Sequence, residues 1–195
     1  MSVTRLTLIC HARTVAQKRA RLPLDEPLEM DWQAARGSRA GAFKRPPLLL
    51  VGGETRVRQT AALFGNDLRH VPALDDCDFG RWRGLSIDHL QQHEPLALQA
   101  WLDDPHSAPH GGESVVQLIQ RVGCWLDSLG SHPGHYLAVT HPWVIRAAMI
   151  HVLQCSPSAF QMIDVEPLSA TELRFNGRWR LRLMDSGAPV EEPLA

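Results

Sequence analysis

Two histidines stand at equivalent ends of short apolar runs. Arg5-Leu6-Thr7-Leu8-Ile9-Cys10 leads into His11-Ala12-Arg13-Thr14, and Tyr136-Leu137-Ala138-Val139-Thr140 leads into His141. A third run, Leu48-Leu49-Leu50-Val51, passes through the turn Gly52-Gly53-Glu54-Thr55 to Arg56. A helix starting after a glycine pair favours an anion at its N-terminus. Farther on, Asp75, Asp76 and Asp78 crowd together before Phe79-Gly80-Arg81-Trp82-Arg83-Gly84. A carboxyl partly walled by aromatic rings keeps its proton to higher pH, as a general acid must. Two imidazoles, a guanidinium and a carboxyl make a set suited to chemistry on an anionic group.

These residues need elements that bring them together. A short apolar run bounded by polar residues reads as a buried central strand. In open α/β sheets, chemistry gathers just beyond the carboxyl ends of such strands. Two strands that each deliver a histidine to the same sheet edge imply one shared pocket. Between them, Arg56 to Leu63 reads as a helix ending near Gly65, Ser86 starts another that carries Leu90, and Pro95 opens one through Leu102. The best helix begins at Glu113-Ser114, with Val115, Leu118, Ile119, Val122, Trp125, Leu126 and Leu129 on one face and Gly130 at its end. Glu113 reads as a substrate contact or a capping residue, with capping favoured. Pro142 fits the first turn of a helix to about Leu153. Asn176-Gly177 between Leu173-Arg174-Phe175 and Trp179 to Leu183 signals a hairpin. Val15 to Leu22 is a loop or short helix, and its Gln17, Lys18, Arg19 and Arg21 make either a solvated face or a contact for an anionic tail. A helix is also expected around Trp32 to Arg36, and a frayed tail from Val190 to Ala195. His106, His110, His132 and His135 lie in loops without metal-ligand spacing and read as surface residues.

At 195 residues, 44% hydrophobic and 21% charged, the composition is that of a single globular domain over residues 1–195 with a sizeable core. A formal net charge of -1 advertises neither nucleic acid nor membrane as a partner. Cys10, Cys77, Cys124 and Cys155 are scattered, so neither a zinc cluster nor a disulfide framework is suggested. No segment has the length of a membrane span or the pattern of a signal peptide, and a reducing cytoplasm is the expected location.

The motif Leu8-Ile9-Cys10-His11-Ala12-Arg13-Thr14 resembles the opening signature of the histidine phosphatase superfamily, phosphoglycerate-mutase-like branch, usually Arg-His-Gly-x-Thr/Ser after a strand. Further similarities follow in the family's order. Asp25-Glu26-Pro27-Leu28 resembles its Asp-x-Pro-Leu segment, and Arg56-Val57-Arg58-Gln59-Thr60-Ala61 its phosphate-binding Arg-Ala-x-Gln-Thr-Ala. Asp76 to Gly84 is similar to Glu-x-x-Phe-Gly-x-Trp-x-Gly, and the stretch before Val115 to Pro-x-Gly-Glu-Ser. The resemblance implies a three-layer α/β/α sandwich, with a mostly parallel central sheet and an antiparallel C-terminal hairpin. It implies a phosphatase acting on a phosphomonoester of a small phosphorylated substrate, without metal or cofactor. His11 would be the nucleophile and Asp76 the general acid, with Asp75 and Asp78 as fallback assignments. Arg56 and His141 would hold phosphate, with Arg13 and Thr14 beside them. Cys10 stands where the family carries a phosphate-clamping arginine, Asp76 where it carries a glutamate, and Pro142-Trp143 where it carries two glycines. A hydrogen bond to a charged group contributes roughly 1.5–3 kcal/mol, so losing that arginine alone slows turnover roughly ten- to a few-hundredfold. The alternative is a catalytically impaired member that binds a phosphorylated ligand or a protein partner.

Overall fold

Strand β1 (Thr4–Cys10) carries the first apolar run through the middle of a six-stranded sheet. In the computed structural model, which describes residues 3–30 and 47–183, its neighbours are β4 (Gly134–Thr140), parallel, and β5 (Ala170–Phe175), antiparallel. On the far side of β4 lies β2 (Leu48–Val51), with the short β3 (Leu68–His70) at that edge, both parallel. Strand β6 (Trp179–Arg182) closes the other edge against β5, giving the order β3-β2-β4-β1-β5-β6. The mostly parallel sheet and the C-terminal hairpin are as the sequence predicts. Strand β3 carries no apolar run, and Arg69 and His70 are exposed, so nothing in its pattern announced it.

Side chains alternate across the sheet, as a pleated strand requires. Leu6, Leu8 and Cys10 of β1, Leu50 of β2 and Ala138 of β4 face one core. Ile9, Leu49, Val51, Leu137 and Val139 face a second, smaller one. Helix α2 (Thr55–Ala61) covers the smaller core with Val57 and Ala61. The larger core is covered by α5 (Val115–Gly130) and α6 (Pro142–Leu153). Helices thus flank both faces, which makes three layers.

The single-turn helix α1 (Val15–Lys18) follows β1, and α3 (Ile87–His93) and α4 (Pro95–Asp103) supply the wall around Trp82, Leu90 and Trp101. Helix α5 differs from expectation at its start. Its N-cap is Ser114, in a capping box with Gln117, and the Glu113 carboxylate instead pairs with Arg121 at 2.8 Å. His110 also departs from its expected surface position. It is buried against Trp82, Phe79 and Trp101, with ring centroids 5.2, 6.3 and 6.2 Å away. The Pro/Gly-rich loop folds back on Gly80, whose φ of +47° and 2.2 Å approach of the His110 carbonyl oxygen to a built Cβ leave room only for glycine. His106 and His132 are exposed, and His135 is half-buried. The helix expected around Trp32 to Arg36 and the tail from Val190 lie outside the described residues. Among the described residues, no helix is long and apolar enough to cross a membrane.

Candidate active site

Three parallel strands end side by side, and their register decides what meets there. Cys10 lies opposite Thr140 across the β1–β4 pair, and the His11 N–H donates to the Thr140 carbonyl at 2.9 Å. The next residue of each strand is a histidine, so His11 and His141 emerge together, with ring centroids 5.2 Å apart and edge to face. Beyond Val51 of β2, Gly52 turns the chain toward α2. A Cβ on Gly52 would stand 2.6 Å from the Leu74 carbonyl oxygen, so glycine permits that close approach. The turn delivers Glu54 and Arg56 to the same edge. The Thr140 hydroxyl donates to the Leu74 carbonyl at 2.6 Å, tying the loop that carries Asp76 to β4.

His11 is held rigidly. It is 2% exposed, and its Nδ1 lies 2.7 Å from the carbonyl oxygen of Ala12. A carbonyl only accepts, so Nδ1 carries the proton and Nε2 keeps a bare lone pair. The Ala12 N–H donates to Thr60 Oγ1 at 3.0 Å, and that hydroxyl donates to the Arg56 carbonyl at 2.8 Å, fastening the turn to α2. Burial, with the positive charges of His141 and Arg56, holds the His11 pKa well below its usual 6.5, against the hydrogen bond to Ala12. The ring is therefore neutral near pH 7 and nucleophilic at Nε2.

The donors around it are already engaged. Arg56, 2% exposed, donates to Asp76 Oδ2 at 2.7 Å and to the Leu24 carbonyl at 2.7 Å, while its Nε has no partner. His141 is fully buried, and its Nε2 is 2.8 Å from Glu54 Oε2. Its Nδ1 lies 3.3 Å from Asp76 Oδ2, within ion-pair distance but off line for a hydrogen bond. Glu54 also accepts from the Asp76 N–H at 2.9 Å. Burial raises the Glu54 carboxyl, but the hydrogen bond and charge of His141 outweigh it and bring its pKa down to about 2. The start of α2 attracts carboxylates of the chain itself: Asp25 accepts from the Thr55 N–H and Asp75 from the Gly53 N–H, each at 2.7 Å.

Asp76 is positioned from α5. Arg121 binds Glu113 through Nε and one terminal nitrogen, both at 2.8 Å, and gives its remaining donors to backbone carbonyls. Those carbonyls belong to Pro72, Ala73, Asp75 and Asp76, at 3.0–3.2 Å. One guanidinium thus gathers four carbonyls of the Asp76 loop, beside the bonds that Thr140 and Glu54 make to it.

Four of the residues expected to do chemistry, His11, Arg56, Asp76 and His141, are thus in one cluster. Asp75 and Asp78 serve loop backbone, accepting from Gly53 and Gly80. Thr14 is the N-cap of α1, in a capping box with Gln17, and the Arg13 side chain is exposed. Cys10 is fully buried in the larger core; burial, then the charge of Asp76, push its thiol pKa to about 12, so it is inert. Among the described residues, no three His, Cys, Asp or Glu side chains are grouped as a metal ion requires.

Sequence reasoning missed Glu54 and Arg121. Glu54 read as part of a turn, and its partner His141 lies 87 positions away. Arg121 sits on the polar side of an amphipathic helix, where a solvated arginine is the ordinary reading.

The chain's relatives carry related chemistry. It is 31% identical over 129 residues to a glucosyl-3-phosphoglycerate phosphatase of Mycolicibacterium vanbaalenii, covering 62% of this chain and 57% of that protein. It is 25% identical over 149 residues to the adenosylcobalamin/alpha-ribazole phosphatase of Escherichia coli, covering 72% of this chain and 73% of that one. The native structure of a mycobacterial glucosyl-3-phosphoglycerate phosphatase matches with a TM-score of 0.78 at 25% identity, over 92% of this chain and 97% of that one. The chain thus spans little more than half the length of the first of these curated relatives. The profile of the histidine phosphatase superfamily (branch 1) matches residues 6–186, and the chain belongs to that superfamily.

Proposed function

We propose that this protein is a metal-independent phosphatase that hydrolyses a phosphomonoester through a phosphohistidine on His11. The observation that carries the reading is a neutral imidazole, fixed by Ala12 with its Nε2 lone pair open, beside Arg56 and His141. That phosphatases of small phosphorylated metabolites are among its relatives supports the same class of substrate.

In this reaction His11 Nε2 attacks phosphorus as the ester P–O bond breaks, and Asp76 gives a proton to the departing alkoxide. Water then attacks the phosphohistidine and passes its proton to Asp76, the P–N bond breaks, and inorganic phosphate leaves. Arg56 and His141 turn from their carboxylates to the phosphoryl oxygens, where charge must be stabilised in a loose transition state.

A second reading is a non-catalytic protein that binds a phosphorylated ligand or protein partner in the same pocket. It is favoured by Cys10 in place of a cation and by the pairing of Arg56 and His141 with Asp76 and Glu54.

The deciding experiment is turnover of p-nitrophenyl phosphate by the purified protein with chelator present, beside a His11→Ala variant. A rate that vanishes in the variant, with a phosphorylated protein trapped on alkaline denaturing quench of the wild type, because a phosphohistidine P–N bond survives base and not acid, is the expected result. A rate equal to the variant's overturns catalysis by His11 and leaves the binding reading.

A further inference from the structure

Glu54 has the position of a helix cap and does not act as one. It is the N-cap of α2, in extended backbone conformation, yet its side chain makes no hydrogen bond to the helix start. The carboxylate turns instead toward the histidine cluster and takes two donors, Oε2 from His141 Nε2 at 2.8 Å and Oε1 from the Asp76 N–H at 2.9 Å. A ring N–H and a backbone N–H converging on one carboxylate form a cradle that an oxyanion would also fit. With Arg56 paired to Asp76, the two side chains read as holding phosphate each face a carboxylate of the chain. Position 10, at the end of β1 beside His11, adds no positive charge to offset them, being an uncharged buried cysteine.

We propose that Glu54 is a specificity-determining residue that acts as an internal anion, holding the place on His141 Nε2 that a phosphoryl oxygen must take. Ligands enter by exchange, displacing Glu54 from His141. This rests on the reading that His141 holds phosphate. A bare phosphate ion must displace Glu54 with nothing else to contribute, so it binds weakly and inhibits little as a product. A phosphoester compensates through contacts of its leaving group, above all a hydroxyl or ammonium near the phosphate that donates to the freed Oε2. The pocket therefore selects phosphoesters of polyols or amino compounds over inorganic phosphate.

Calorimetric titration with inorganic phosphate tests this on the wild type, Glu54→Gln and Glu54→Ala, each checked for folding by thermal melting. Both variants should bind phosphate about ten- to a hundredfold tighter than the wild type, the value of one charge-assisted hydrogen bond no longer competed for. In a His141→Ala background the gain should disappear, as a double-mutant cycle demands of a pairwise competition. Affinity unchanged or weakened in folded variants, or a gain that persists without His141, overturns the proposal. The wild type gives an independent check: in nitrogen-15 spectra of the imidazoles, saturating phosphate should move the His141 Nε2 signal, and a static signal under saturation also overturns it. Binding is read without turnover, so tighter phosphate in Glu54→Gln beside an inactive wild type sinks the hydrolytic reading alone. An active wild type with no change in Glu54→Gln sinks the internal-anion proposal alone.

Discussion

The chemistry of single side chains here is set by burial and by which charge each one faces. His11 and Glu54 illustrate the two directions. Burial among cations keeps His11 neutral, so its own protonation does not limit reactivity until the pH is well below 6.5. Glu54 is stabilised as the anion by His141, with a pKa of about 2 against an ordinary 4.5. A depressed carboxyl adds stability that is complete above its unfolded pKa and is lost as pH falls through the folded one. The contribution of Glu54 is therefore whole above about pH 4.5, fades between there and about pH 2, and amounts to roughly 3 kcal/mol at most. Thermal melts from pH 6 to pH 2 should show the wild type losing more stability than Glu54→Gln across that window. Parallel curves would mean the pair contributes nothing to folding.

At the scale of elements, the pocket depends on α5 although no residue of α5 reaches the reacting group. Arg121 collects the carbonyls of four loop residues and is locked by Glu113, so one side chain of the helix joins it to the loop. Replacing it by alanine leaves Glu113 without its cation and takes the side-chain donor from those carbonyls, of which that of Pro72 keeps the Asp75 N–H. We expect Arg121→Ala to cost roughly 1–3 kcal/mol in urea unfolding and to lower kcat by more than it raises KM, because Asp76 loses its position rather than the pocket its shape. Lysine cannot reproduce a fork of five donors, so Arg121→Lys should recover little. Full activity in a folded Arg121→Ala protein would show that the Asp76 loop holds itself.

For the molecule as a whole, the outer half of the sheet is fastened by a charge network remote from the pocket. Glu172 of β5 is fully buried and takes Arg5 of β1 at 3.0 Å, Arg182 of β6 at 3.3 Å and Arg174 beside it. Burial raises its carboxyl pKa, but Arg174 and Arg5 outweigh burial and lower it. Removing one partner of a buried ion pair strands the other, so Glu172→Ala should cost about 3 kcal/mol in denaturant unfolding. The catalytic rate of what remains folded should be untouched, since none of these side chains joins the pocket. A loss below 1 kcal/mol would show that solvent at Arg174 and Arg182 already screens the network.

What the sequence determined by itself was local. The periodicity of Leu6 to Cys10 and of Leu137 to Thr140 specified buried strands, because a strand covered on both faces leaves an uninterrupted apolar run. The succession of a strand and then a histidine, met twice, was enough to pair His11 with His141. Ser86, Pro95, Pro142 and Asn176-Gly177 marked element boundaries through their own backbone chemistry. Tertiary structure alone decided the partners. Glu54 reaches His141 because β2 and β4 are neighbours, and Arg121 reaches the Asp76 loop because α5 packs beneath it. His110 is buried because a glycine with positive φ lets its loop fold inward. Side-chain type fixes what a group can do. Its partners depend on strand order and loop closure, which link residues tens of positions apart and leave no periodic trace in the chain.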